Sequence, residues 1–246
     1  MKLAAVQFAP GFKEIARNTS RIVELATRAA MQGAKLIVFP ELATTGYSFM
    51  GPEEAAPFAE TIGDFSKGSQ YSLLRVAETF NVAIVWGLVG KSGNGSLYNT
   101  QMYVDPNGRY ESYFKINLWG NDFLWASEGR ANPPIVHCEV TKKKVGLLIC
   151  RDVRDKASDD WKNFYSPGDA DIVAFSSNWG DGGFPAVSWV DFAKENRTVL
   201  VVANRYGQET CNNFGEGGVC VIEPKGKVHC QGLQWNQDCI VYAETP

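Results

Sequence analysis

The sequence predicts an α/β chain built as two mixed sheets packed face to face, with helices on their outer sides. Three observations carry this. Several short apolar runs show no polar alternation, the pattern of strands covered on both faces. Helix-period segments sit between such runs, and strong turn signals add antiparallel hairpins. Only four helices are predicted, enough for the outer faces of two sheets, so the inner faces must cover each other. The 246 residues suffice for this architecture, and no Pro/Gly/Ser-rich linker or composition shift divides them. Residues 1–246 are therefore expected to form one domain.

LAAVQFA (3–9) is the first strand. From Asn18 to Gln32, residues Ile22, Leu25, Ala26, Ala29 and Ala30 recur at helix spacing, and Gly33 ends the helix. AKLIVFP (34–40) is a strand buried on both faces. SLLRVAETF (72–80) reads as a helix and VAIVWGLV (82–89) as a buried strand. LYNTQMYV and RYESYFK flank the turn Asp105-Pro106-Asn107-Gly108, and IVHCEV and VGLLIC flank Thr141-Lys142-Lys143-Lys144. A helix over 158–165, the strand DIVAFSS (171–177), a helix over 185–196 and the strand TVLVVANRY (198–206) come next. GGVCVIEP, KVHCQG and DCIVYAE close the chain. This makes twelve strands and four helices.

Composition narrows the function. The net charge of −3 offers no basic excess for nucleic acid. No apolar stretch reaches the roughly 18–20 residues of a membrane span. The N-terminal run stops at Gln7, short of the roughly 7–15 residues of a signal-peptide core, so a cytoplasmic protein without a membrane partner is expected. The six cysteines form no CxxC pair and the only histidines are His137 and His229, so no metal site is expected. Five of the cysteines read as small buried residues.

Three stretches place a reactive group just past a buried strand, where α/β folds put their ligands. In LIVFPELATTGY, Glu41 follows an apolar strand and a proline. A solvated carboxylate or a helix cap is the plain alternative. In YESYFKINLWGNDFLW, Lys115 ends a strand among aromatics, where a lysine can also merely snorkel. In VGLLICRDVRD, Cys150 stands where the apolar run ends, with Arg151, Arg154 and Lys115 as cations able to lower its pKa; a buried inert thiol is the alternative. Together the three specify a chemistry: a carboxylate base, an ammonium for an oxyanion and a thiol nucleophile. The Gly-rich GDGG and GEGG lack the spacing and lysine of a phosphate loop.

FPELATTGY, YFKINL and GLLICRD resemble the glutamate, lysine and cysteine motifs of the nitrilase superfamily, the carbon–nitrogen hydrolases, at spacings of about 74 and 35 residues. AVQFAP, AFSSNW and AKENRTVLVVANRYGQE extend the resemblance over nearly the whole chain. It implies a four-layer α–β–β–α sandwich. It also implies that Glu41 is the general base, that Lys115 stabilises the tetrahedral intermediate and that Cys150 forms a thioester or thioimidate. The backbone N–H of Arg151 would help hold the oxyanion. Asn117 stands where the family often has His. Asp122 stands where it has a second glutamate, with Glu128 farther on, and the loop after Cys150 is unusually polar. A homodimer or higher homo-oligomer and no cofactor are the family expectation.

Arg154 stands where some relatives acting on carboxylate-bearing amides or N-carbamoyl amino acids place an arginine, and a guanidinium can grip a carboxylate bidentately. Trp119, Trp125, Asn178, Trp179 and Phe184 lie in loops expected to line the pocket, or in the core. The reading is an amidase of a small carboxylate-bearing amide. An N-carbamoyl amino acid hydrolase or a true nitrilase, acting on a ureido or nitrile substrate, would use the same thiol attack. An inactive binding scaffold, or a redox sensor at Cys150, are the readings of other classes.

Overall fold

The computed structural model describes residues 1–153, 164–180 and 183–245. Two mixed sheets form its centre. In the first, β1 (Lys2–Gln7), β2 (Ala34–Val38) and β3 (Ala83–Lys91) run parallel. β4 (Leu97–Val104) and β5 (Tyr110–Phe114) extend it antiparallel beyond β3. The second sheet holds β6 (Ile135–Cys138), β7 (Lys143–Ile149), β8 (Ile172–Ser176), β9 (Val199–Ala203), β10 (Cys220–Ile222) and β11 (Val228–His229), with β7, β8 and β9 parallel. The last strand, β12 (Cys239–Glu244), returns to the first sheet beside β1. The strand orders are β12-β1-β2-β3-β4-β5 and β11-β10-β9-β8-β7-β6.

Side-chain alternation turns these strands into layers. Leu3, Ala5, Leu36, Val38 and Val85 point inward and meet Val145, Leu147, Ile149, Ala174 and Val201 of the second sheet. Ala4, Val6, Ile37 and Ile84 point outward against helices α1 (Ile15–Met31) and α2 (Gly68–Phe80). Leu148, Val173, Phe175 and Leu200 face outward against α3 (Val187–Asn196). The layers are thus helix, sheet, sheet, helix, as expected. Each core truncation such as Leu147→Ala costs about 2–5 kcal/mol at sites of this kind.

Boundaries differ from expectation where side chains bond to distant backbone. α1 begins a turn early because buried Asn18 donates to Gly11 O at 2.7 Å and Thr44 O at 3.0 Å. β9 stops at Ala203; the next residue, Asn204, bridges by its backbone to Gln7 of the first sheet, while its side chain exchanges bonds with the Trp179 backbone (2.8 and 3.0 Å). Of the helix expected over 158–165, residues 158–163 lie outside the described residues, and Phe164 and Tyr165 are not helical. Tyr165 is instead buried and donates to Leu147 O at 3.0 Å. Two-residue strands at Glu60–Thr61, Gln208–Glu209 and Asn212–Asn213 were not expected. Cys211 and Cys230 are exposed, so fewer cysteines are core residues than composition suggested. Among the described residues no helix is long and apolar enough to cross a membrane.

Candidate active site

The ends of β2, β5, β7 and β8 converge, and two polar stitches lock the sheets there. Ser176 donates its hydroxyl to Phe39 O at 2.7 Å, and Gln101 donates to Ser176 Oγ at 2.8 Å. Ser176 pairs with Ile149 in the second sheet, so the chain leading to Glu41 is fixed against the chain leading to Cys150. Gly87 on β3 completes the fit. A Cβ there would lie 2.2 Å from Leu42 N and 2.8 Å from Glu41 Cα, so any side chain would push the Glu41 backbone away.

Glu41, Lys115 and Asp122 are brought into one buried cluster. Lys115 Nζ donates to Glu41 Oε1 at 2.6 Å and to Asp122 Oδ2 at 2.6 Å, and all three side chains are inaccessible to solvent. Asn99, on β4, donates to Glu41 Oε1 at 2.7 Å and to Asp122 Oδ1 at 3.0 Å. The N–H of Trp119 also reaches Asp122 Oδ2 at 3.1 Å. Glu41 Oε2 is buried with no partner among the described residues. Asp122, rather than the exposed Glu128, therefore occupies this place beside the lysine.

Cys150 begins a single 3₁₀ turn, Cys150–Asp152, that ends β7. Its φ of +42° is a left-handed conformation rare for a side chain of this kind, the sort of strain that clusters at functional sites. Asp152 holds the turn: Oδ2 accepts the N–H of Ile149 at 3.0 Å and Oδ1 accepts Asn117 Nδ2 at 2.8 Å. Asn117, two residues after Lys115, thereby ties the cysteine turn to the chain that follows the lysine strand. Asn117 thus fills its position as a neutral donor to Asp152.

Electrostatics set the protonation states. Burial pushes the Cys150 thiol up to about 12, reinforced by the Glu41 charge and opposed by Lys115, the N–H of Asn178 and the Ser177 hydroxyl. This corrects the expectation that nearby cations would lower it: desolvation outweighs them, and the thiol is neutral near pH 7. Glu41 is raised by burial and by Asp122, against the pull of Lys115. Burial acts to lower Lys115, but Asp122 and Glu41 hold it well above the ordinary lysine value. The arrangement is a protonated thiol beside a carboxylate of raised basicity and a fixed ammonium.

The remaining expected residues are placed unevenly. Asn178 is buried beside Cys150, and neither atom of its side-chain amide has a partner among the described residues. Trp119 is half-exposed, and the Arg151 guanidinium lies 4.6 Å from its ring centroid. The Trp179 ring packs at 5.5 Å from Trp189 and 6.5 Å from Phe175, within the layer beneath α3. Arg154 lies outside the described residues. Asn99, Asp152 and Glu209 were not anticipated from the sequence. Among the described residues no group of three or more His, Cys, Asp or Glu is arranged to hold a metal ion.

Comparison with known proteins returns one family. The model described as carbon-nitrogen hydrolase matches residues 2–246. A nitrilase of Pyrococcus abyssi is 31% identical over 228 residues, 93% of this chain and 83% of its own. The 2-oxoglutaramate amidase of Bacillus subtilis is 26% identical over 250 residues, 98% of this chain and 89% of its own. Among solved structures, an amidase from Nesterenkonia sp. AN1 covers 100% of this chain and 93% of its own at 24% identity, with a TM-score of 0.83, a likeness of fold.

Proposed function

The chain belongs to the carbon–nitrogen hydrolase family and is an enzyme of its amidase and nitrilase type, and from that premise we propose that it hydrolyses a small carboxylate-bearing amide through a thioester on Cys150. The observation that carries the mechanism is the unequal state of the two Glu41 oxygens. Oε1 is taken by Lys115 and Asn99, while Oε2 is buried and unpartnered. A desolvated acceptor of raised basicity beside a neutral thiol is what general-base activation needs.

In this reading Glu41 Oε2 takes the Cys150 proton as sulfur attacks the amide carbon. Negative charge builds on the carbonyl oxygen, and the Lys115 ammonium and the N–H of Arg151 receive it. The C–N bond breaks as Glu41 returns the proton to nitrogen, releasing ammonia and leaving the thioester. Water, deprotonated by Glu41, then attacks the same carbon. The carboxylic acid leaves, and the thiol regains its proton. Asp122 fixes Lys115 so that the ammonium need not reorganise. The free amide of Asn178 is the candidate for orienting the substrate.

The substrate class is supported by the cation next to Cys150. The Arg151 guanidinium lies over the Trp119 ring at 4.6 Å, and among the described residues its N–H donors have no carboxylate partner, so they can serve a substrate carboxylate. A relative is named for 2-oxoglutaramate, an amide that carries a carboxylate. Ammonia release tests the reading. The panel holds ω-amides of dicarboxylates, N-carbamoyl amino acids, aliphatic amides and nitriles. Release from the ω-amides that disappears in Cys150→Ala is expected. No release from any compound by folded, reduced protein would contradict the reading.

A further inference from the structure

Glu209 is a buried carboxylate that the chemistry above leaves unused. It lies on the small hairpin formed by Gln208–Glu209 and Asn212–Asn213. Its Oε1 accepts the N–H groups of Tyr47 at 2.7 Å and Ser48 at 2.8 Å, and the Ser48 hydroxyl at 2.8 Å. Its Oε2 pairs with Arg205 Nη1 at 2.7 Å, with both side chains nearly inaccessible. On the other hairpin strand, Asn212 donates to Ser48 Oγ at 2.8 Å and to Asn121 Oδ1 at 3.2 Å. Asn121 in turn donates to Phe49 O at 3.2 Å and directly precedes Asp122. One hairpin thus ties the loop after Glu41 to the turn carrying Asp122. The backbone has been shaped to admit it. Gly46 has φ +79°, and a Cβ there would lie 2.5 Å from Glu209 Oε2 and 3.0 Å from Phe12 Cα.

We propose that Glu209 is a positioning residue for the general base, holding the 41–48 loop in register with Asp122 and cancelling the charge of Arg205 so that Glu41 keeps its basicity. The inference rests on the reading of Glu41 as base. Lys115 and Asp122 act on that carboxylate, and its charge in turn acts on Cys150, Tyr47 and Arg205. Two of these are cations. Lys115 is matched by Asp122, and Arg205 by Glu209. The Arg205 guanidinium is buried, packs 4.1 Å over the Phe214 ring and interacts electrostatically with both Glu209 and Glu41. Without Glu209 its charge would favour the Glu41 anion and make it a weaker base.

The test compares wild type, Glu209→Gln and Ser48→Ala. Gln keeps an acceptor oxygen for the Tyr47 and Ser48 N–H groups but removes the charge. Two readouts are taken against pH: hydrolysis of an ω-amide, and alkylation of Cys150 by iodoacetamide, followed on the Cys150 peptide by mass. Glu209→Gln is expected to lower kcat about tenfold with KM nearly kept, and to move the acid limb of both profiles down by roughly half a pH unit. Ser48→Ala, which loosens the clamp and leaves every charge in place, is expected to lower kcat severalfold without moving the limb. An acid limb unchanged in Glu209→Gln overturns the proposal. If Glu209→Gln does not fold, wild-type kcat in Ser48→Ala overturns it. A shifted alkylation profile in a protein that hydrolyses no amide would uphold the clamp and remove the amidase reading.

Discussion

Lys115 donates to Glu41 Oε1 at 2.6 Å and leaves the other oxygen of that carboxylate buried and unpartnered. The contact decides which lone pairs of Glu41 are available for chemistry. It also makes Lys115 the one positive charge between two buried carboxylates, since Asp122 Oδ2 lies 2.6 Å from the same nitrogen.

Removing that charge should therefore damage stability as well as turnover. Lys115→Met keeps much of the volume but leaves Glu41 and Asp122 facing each other unneutralised. A loss of about 3–5 kcal/mol is expected from breaking a buried pair in this way. Urea unfolding of the wild type and variant measures it, and hydrolysis should be absent in whatever fraction folds.

Asp122 raises Glu41 by repulsion. Asp122→Asn removes that negative charge, so Glu41 should ionise more easily and the acid limb of kcat/KM should move to lower pH. The rate on the plateau should fall because Lys115 loses an ionic anchor. Asp122→Glu restores the residue type usual in the family but adds a methylene to a closed cluster, for which about 1–3 kcal/mol of overpacking is expected. Thermal unfolding and a pH–rate profile check both variants.

The wild-type pH profile has a predicted shape. Glu41 is raised, so activity should rise with pH through a midpoint above the ordinary glutamate range. The thiol, pushed up to about 12, should contribute no limb near neutrality. On the proposed role of Glu41 as the base for the thiol, Glu41→Gln should slow alkylation of Cys150 by about tenfold or more, within the general-base range. The exposed Cys211 and Cys230 should react as before, which serves as the internal control.

Arg151 should matter in proportion to substrate charge. Arg151→Gln is expected to lower kcat/KM for an ω-amide carboxylate by about 10–100-fold, the scale of a lost charged hydrogen-bond pair. A neutral amide of similar length should change little. Equal losses for both would assign Arg151 to the architecture of the Cys150 turn instead.

Much of this was legible in the sequence, for identifiable reasons. Glu41 and Cys150 come just after apolar strands and Lys115 directly after the aromatic-rich strand YESYF, so pattern placed all three at strand ends, and the four-layer fold brings those ends together. Asp122 was visible only as a family position occupied by a shorter acid. Asn99 was not visible at all: it sits inside LYNTQMYV as an ordinary strand polar residue, and its partner Glu41 is 58 positions away. Asp152 appeared as one charge in a charged run, yet it is buried and accepts bonds from Ile149 and Asn117. Glu209 was visible only as the last residue of AKENRTVLVVANRYGQE, a stretch that carried resemblance but no role for this carboxylate, because its bonds to Tyr47 and Ser48 span more than 160 residues. Local pattern reports where a strand ends; it does not report which distant backbone amide a carboxylate will find.

The measurement that tests the central claim most directly is the mass of the protein during turnover. Wild type is mixed with an ω-amide, quenched in acid within the first turnovers and digested. An added acyl group, equal to the amide less ammonia, is predicted on the peptide containing Cys150 and on no other, and it should be absent in Glu41→Gln. Turnover without an adduct on that peptide, or turnover that survives in Cys150→Ala, would contradict the account.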